Sequence, residues 1–101
     1  MRAESPVLID LWTVDSSRWD ELVERISTHM QELVVEQPGF VSAHIYESVD
    51  GTVVMVDVRM RTVEDRQRLT DSPRTHAAVR ELRTIAHAHA RLYRLVQSYG
   101  A

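Results

Sequence analysis

Three groups of polar residues have the types and the spacing that acid–base or metal chemistry needs. His44 and Asp57 lie in neighbouring strand-like segments, and a carboxylate that contacts an imidazole is a common base arrangement. His76 and Arg80 are four residues apart, which would place a base and a cation on one side of a helix. The two histidines in the stretch 87–89 would share one strand face, as the first two ligands of a metal site do. Whether these groups can act depends on the elements that carry them.

The composition is that of one ordinary globular domain. The 101 residues are 44% hydrophobic and 27% charged, and we assign residues 1–101 to a single domain. The formal net charge is −3 and no basic cluster occurs, so we expect no nucleic-acid partner. The absence of cysteine excludes disulfides and thiolate chemistry. No signal peptide or membrane span is visible, so we expect no membrane association and a cytoplasmic location.

The apolar pattern predicts strands and helices in alternation. A β-branched run predicts a first strand over 7–14, and apolar residues spaced by three, four and seven predict an amphipathic helix over 19–34. A short helix over about 62–70 follows the central strands, and Ser72 with the proline after it predicts the start of a further helix. A last strand is predicted over about 88–96.

The dipeptide Asp50-Gly51 lies between two strand-like runs, and it is a strong signal for a β-hairpin. The register that this turn imposes pairs His44 with Asp57. Both side chains then lie on the sheet face away from the helices, whereas Val56 lies on the apolar face that the helices cover. The two strands are predicted over residues 40–48 and 52–61.

The element order β-α-β-β-α-β predicts a ferredoxin-like α+β fold, an antiparallel sheet with helices on one face. The uncovered face is expected to carry large side chains, namely Trp12, Tyr46, Val53 and Met55. A monomer of this size would expose them to water. We therefore expect a homodimer whose two sheets pack face to face and close into an α+β barrel.

Three segments, at residues 38–43, 48–54 and 72–82, carry a recognisable pattern. They read PGFVSA, SVDGTVV and SPRTHAAVREL. Together they resemble the antibiotic-biosynthesis monooxygenase-like family of the dimeric α+β barrel group, and the resemblance extends over nearly the whole chain. Members of that family include cofactor-free oxygenases that convert polyketide anthrones to quinones, and haem-degrading enzymes. The resemblance implies a ligand site between the helices and the sheet.

The resemblance implies a cofactor-independent monooxygenase that acts on a polycyclic aromatic substrate, a polyketide-type anthrone or quinol, with O₂. Arg80 matches a pocket arginine of the anthrone-oxidising members, and we expect it to hold the substrate anion. His76 is the predicted base, although a histidine there is also typical of a helix surface. We expect no cofactor and no metal, because the stretch 87–89 has no third ligand at a suitable spacing.

Four apolar residues are predicted to line the substrate site: Trp19, Met30, Val56 and Met60. Such residues are also typical of a plain hydrophobic core. An asparagine and a tryptophan of the anthrone-oxidising members fall at Val56 and Met60. The helix histidine of the haem-degrading members falls at Ala78, which argues against haem degradation.

Two other functions stay open. Val56 and Met60 remove polar groups from the site, which favours a non-catalytic module that binds a small aromatic ligand or haem. A polyketide cyclase or isomerase would need a base but no O₂. For His44 and Asp57, a structural pair at the subunit interface is favoured over catalysis.

Overall fold

The computed structural model describes residues 6–100, which form a four-stranded antiparallel sheet with the helices on one face. The elements are β1 (Val7–Val14), a 3-10 turn (Ser16–Arg18), α1 (Trp19–His29), a π-helical turn (Met30–Val34), β2 (Phe40–Glu47), β3 (Val53–Met60), α2 (Val63–Asp71), α3 (Pro73–Leu82) and β4 (Ala86–Tyr93). The strands lie in the order β2-β3-β1-β4, so the predicted ferredoxin-like α+β fold is confirmed.

The hairpin between β2 and β3 has the predicted register but a longer loop. His44 pairs with Asp57, as the turn signal indicated. The backbone N–H of Ser48 donates to the carbonyl of Val53 over 2.8 Å, and this pair closes the ladder. Gly51 has a φ of +73°, and the five residues 48–52, rather than two, connect the strands. The strands therefore end one pair earlier than predicted.

Local hydrogen bonds start the second and third helices where the sequence predicted. The Thr62 hydroxyl accepts a hydrogen bond from the backbone N–H of Asp65 at the start of α2. The Ser72 hydroxyl accepts one from the backbone N–H of Arg74, and Pro73 occupies the first position of α3. The extended backbone of Ser72 separates α2 from α3, so the two helices can approach the sheet at different angles.

The hydrophobic core lies between the helices and the sheet, and it contains Trp12. That residue was expected on the uncovered face, and this expectation was wrong: only 3% of Trp12 is exposed. Trp12 pairs with Val54, whose side chain is buried under the helices, so the even-numbered residues of β1 point inward. The core also contains Leu22, Ile26, Val56, Val58, Met60, Leu69 and Leu82.

The other sheet face carries exposed aromatic and aliphatic side chains. Leu11, Tyr46 and Tyr93 are 41%, 47% and 45% exposed. The last strand begins at Ala86, earlier than predicted, and ends at Tyr93. Among residues 6–100, no helix has the length and the apolar character to cross a membrane.

Candidate active site

A cavity of about 550 Å³ lies between the helices and the inward face of the sheet. Strands β1, β3 and β4 form its floor, and α1, α2, α3 and the π-helical turn form its walls. Its surface is mainly apolar, with side chains such as Trp12, Ile26, Met30 and Val58. The volume and the lining are those of a site for a small, largely apolar ligand.

Asp10 places a carboxylate in the floor of this cavity. The strand alternation directs it inward, between Leu8 and Trp12. Its Oδ1 atom is buried and has no hydrogen-bond partner among the described residues. Burial raises the pKa of Asp10 to about 6, although a hydrogen bond from Trp12 and the charge of Arg83 oppose the rise. Asp10 is therefore a candidate reactive group of the cavity, because its Oδ1 atom has no hydrogen-bond partner among the described residues.

Asp10 was not predicted as a site residue. It lies within a β-branched run to which no inward face was assigned, and Trp12, which is in phase with it, was expected on the uncovered face. The available signal was a single carboxylate, in phase with Leu8 and Trp12, in an otherwise apolar strand. A charged residue in phase with the buried residues of a strand indicates either a paired ion or a functional group.

Arg80 and His76 both line the cavity from α3 and are exposed at its mouth. The structure thus brings both sequence-predicted residues to the same cavity as Asp10. Arg83, at the end of α3, lines it as well. Within residues 6–100, neither Arg80 nor Arg83 forms an ion pair with another side chain. The mouth of the cavity therefore presents positive charge that a ligand could use.

A second imidazole, His29, lies at the cavity wall where α1 ends. Its Nε2 atom lies 2.9 Å from Oε1 of Glu81, and the same carboxylate oxygen lies 3.7 Å from a guanidinium nitrogen of Arg25. These contacts connect α1 to α3 beside the cavity. No sequence signal indicated them, since His29 and Glu81 are 52 residues apart.

Two of the four apolar residues predicted for the site line the cavity, namely Met30 and Val56. The other two do not. The indole N–H of Trp19 donates to a carboxylate oxygen of Glu47 over 2.9 Å, which holds this ring at the far end of the β2 strand. Met60 is 2% exposed and belongs to the core.

The pair of His44 and Asp57 lies outside the cavity, on the other face of the sheet. The Nδ1 atom of His44 is 2.7 Å from Oδ1 of Asp57, so the predicted cross-strand contact is confirmed. The His44 ring also lies beside Tyr46, with 6.0 Å between the ring centroids. Among residues 6–100, no group of three histidine, aspartate or glutamate side chains could hold a metal, and this includes the stretch 87–89.

The cavity thus combines a basic carboxylate, apolar walls and positive charge at its mouth. A carboxylate with a raised pKa takes protons from weak acids better than an ordinary aspartate does. The cations can stabilise the anion that remains. Apolar walls keep water away from that anion.

Comparison with known proteins adds the fold. No protein-family model matches the chain, and no curated protein matches it in sequence. Solved structures match it along almost its whole length. A cofactor-independent oxygenase of Streptomyces nogalater, SnoaB, has a TM-score of 0.75 and 16% identity, with 95% of this chain and 97% of that chain covered.

Two further structures have the same fold. A monooxygenase from the gene ActVA-Orf6 of Streptomyces coelicolor, in complex with nanaomycin D, has a TM-score of 0.71 and 24% identity over 96% of this chain and 94% of that chain. A protein of Nitrosomonas europaea, named provisionally as an antibiotic biosynthesis monooxygenase, has a TM-score of 0.81 and 14% identity over 99% of this chain and 98% of that chain. At these identities the likeness shows the fold.

Proposed function

We propose that this chain, which has the fold of the antibiotic biosynthesis monooxygenases, is a cofactor-independent monooxygenase acting on a polycyclic aromatic substrate, a polyketide-type anthrone or quinol. The observation that carries the proposal is the carboxylate of Asp10 in an apolar cavity, with its Oδ1 atom buried and without a hydrogen-bond partner among the described residues. Cofactor-free oxygenation needs a base, a means of holding an organic anion and a site from which water is excluded. The cavity offers all three.

We assign the base to Asp10 rather than to His76. Asp10 lies in the cavity floor, where its pKa of about 6 leaves it ionised at neutral pH but more basic than an ordinary aspartate. His76 is exposed at the mouth, so its ring is solvated and less able to act on a buried substrate. The guanidinium of Arg80, at the same mouth, balances the charge of the substrate anion.

For an anthrone, the reaction balances without a further reductant. The ring CH₂ group gives one proton to Asp10, and the carbanion passes one electron to O₂. The resulting radical and superoxide combine to form a carbon–oxygen bond, and the proton returns from Asp10 to give a hydroperoxide. Asp10 then removes the second proton of the carbon while the O–O bond breaks, and that proton joins the departing hydroxide as water. In sum, CH₂ and O₂ become C=O and H₂O.

Oxygen uptake with purified protein and anthrone, with no flavin, metal or haem added, tests the proposal. We expect protein-dependent uptake with one O₂ consumed per quinone formed and no release of hydrogen peroxide. Ligand binding without uptake above the spontaneous rate would contradict the oxygenase and indicate a binding module instead.

A cyclase or isomerase is the second candidate, because the Asp10 carboxylate would also serve a reaction that needs a base alone. The two candidates differ in their need for O₂. An oxygenase is inactive under anaerobic conditions, whereas a cyclase converts a linear polyketide substrate at the same rate with or without O₂.

We further propose that the protein works as a homodimer in which the uncovered sheet faces pack together. Exposed Leu11, Tyr46 and Tyr93 on that face support this, since such side chains are usually buried by a partner. Sedimentation equilibrium should give twice the mass of 11.6 kDa. A monomer at micromolar concentration would contradict it.

A further inference from the structure

Two residues that line the cavity each carry a buried polar atom without a hydrogen-bond partner. Among the described residues, Oδ1 of Asp10 and Oγ1 of Thr75 are both buried and unpartnered, and both residues line the cavity. Asp10 lies in the sheet floor and Thr75 in the first turn of α3, so they belong to different walls. Buried polar atoms are usually satisfied, because an unmade hydrogen bond costs about 1–3 kcal/mol.

A neighbouring threonine shows that not every hydroxyl group in the cavity wall lacks a hydrogen-bond partner. Thr70 also lines the cavity, but its hydroxyl donates to the backbone carbonyl of Arg66, four residues earlier in α2, over 3.0 Å. This back-bond is the usual solution for a threonine within a helix. Thr75 lacks it because α3 begins at Pro73, so the residue four positions earlier belongs to a different helix.

Thr75 lies on the side of α3 that borders the cavity. Thr75 is in phase with Ala78, Val79 and Leu82, the inward residues of α3, and all four line the cavity. The other three side chains are apolar and offer no acceptor. Because no group within residues 6–100 forms a hydrogen bond with the Thr75 hydroxyl, that hydroxyl is available to a ligand.

We propose that Thr75 donates a hydrogen bond to a ketone oxygen of the substrate while Asp10 contacts its acidic CH₂ group. This inference rests on the proposed function for the class of ligand, and it selects anthrone-type ketones over quinols. In an anthrone the carbonyl and the acidic carbon are on opposite sides of the central ring. When the proton leaves, negative charge develops on the ketone oxygen, and the Thr75 hydrogen bond becomes stronger.

The test compares two probes that differ only at the ketone, anthrone and 9,10-dihydroanthracene. Binding is measured by quenching of intrinsic tryptophan fluorescence, since Trp12 lines the cavity. Anaerobic conditions at pH 5 prevent turnover and keep Asp10 protonated. The wild-type protein should bind anthrone about tenfold more tightly, which corresponds to one hydrogen bond of about 1.4 kcal/mol.

The matched variants are Thr75→Val and Thr70→Val, which remove a hydroxyl at nearly constant shape. Thr75→Val should reduce the preference for anthrone to less than twofold, whereas Thr70→Val should keep it. Thr75→Val should also leave the melting temperature unchanged or higher, because no protein bond is lost, while Thr70→Val should lower it by about 4 °C.

The inference is overturned if Thr75→Val keeps the tenfold preference, if both variants lose it equally, or if the wild-type protein shows no preference. Failure of the proposed function gives a different result. A wild-type protein that prefers anthrone in a Thr75-dependent way but consumes no O₂ is not an oxygenase, and Thr75 is then still the ligand contact.

Discussion

Two aspartates on adjacent strands of one sheet have opposite surroundings. Asp10 of β1 points into the cavity, where its Oδ1 atom has no partner in the described chain. Asp57 of β3 points to the other face and lies 2.7 Å from an imidazole nitrogen of His44. In the antiparallel register Asp57 pairs with Ile9, the residue before Asp10, so a shift of one residue separates the two environments.

The difference separates a carboxylate that has a side-chain partner from one that keeps an oxygen without a partner. Nδ1 of His44 lies 2.7 Å from Oδ1 of Asp57, so that carboxylate has its hydrogen-bond partner already. Asp10 has a pKa near 6 because burial penalises its charged form. A carboxylate whose pKa is higher in the folded protein than in the unfolded chain costs stability when it ionises. This cost is absent below the ordinary aspartate pKa and is present in full above pH 6. Such a cost is typical of a functional site.

Of the substitutions considered, Asp10→Asn should reduce the activity most. It removes the proposed base and should lower the rate of O₂ uptake with anthrone by at least about 100-fold. Asp57→Asn removes the same charge on the other sheet face and should change the rate less than about threefold. Equal losses of activity in both variants would contradict the assignment of the base to Asp10.

Asp10→Asn should lower the activity but raise the stability of the folded protein. Asp10→Asn removes the cost of the buried charge, so the free energy of unfolding should rise by about 2 kcal/mol at pH 8. Near pH 3, below the ordinary aspartate pKa of 3.8, the gain should be close to zero. Urea denaturation at both pH values measures this. A destabilised variant at pH 8 would show that Asp10 has a partner or a structural role.

Two arginines of the helices differ in whether they form an ion pair. Arg80 at the cavity mouth has no ion pair within residues 6–100, whereas Arg68 on α2 lies 2.7 Å from Asp65 and away from the cavity. Arg80→Ala should lower kcat/KM about tenfold, because one charge contact to the anion is lost. Arg68→Ala should leave kcat/KM unchanged, and steady-state kinetics of both variants provide the comparison.

The smallest effect is expected at the pair of His44 and Asp57. In His44→Gln the amide can still form a hydrogen bond with Asp57, so the free energy of unfolding should fall by only about 0.5 kcal/mol. Its O₂ uptake at saturating anthrone should equal that of the wild-type protein. A large loss of activity with an intact oligomer would instead assign this pair a role in the reaction.

The fold followed from local patterns. Asp50-Gly51 set the register of β2 and β3, and Thr62 and Ser72 with Pro73 marked two helix starts. These signals act within a few residues, so a single sequence carries them. The local sequence did not indicate which face of β1 points toward the core, because both faces of the strand carry apolar residues.

The central residue of the site was missed for the same reason. Only the pairing of Asp10 with Val56 in β3 determines that the carboxylate points inward, and this pairing joins distant parts of the chain. Arg80 was proposed from a family resemblance and His76 from its position one helical turn earlier. Both lie at the cavity, where their roles are still predictions. Trp19 lies elsewhere because its indole contacts Glu47.

The pH dependence of kcat/KM for O₂ uptake is the sharpest test of whether Asp10 is the base. With Asp10 as the base, kcat/KM should rise tenfold per pH unit below a pKa of about 6 and reach a plateau above it. The same rise should persist in His76→Gln, and Asp10→Asn should show only a low rate with no rise near pH 6. A wild-type profile that is flat through pH 6, or a rise that disappears in His76→Gln, would contradict the proposal that Asp10 is the base.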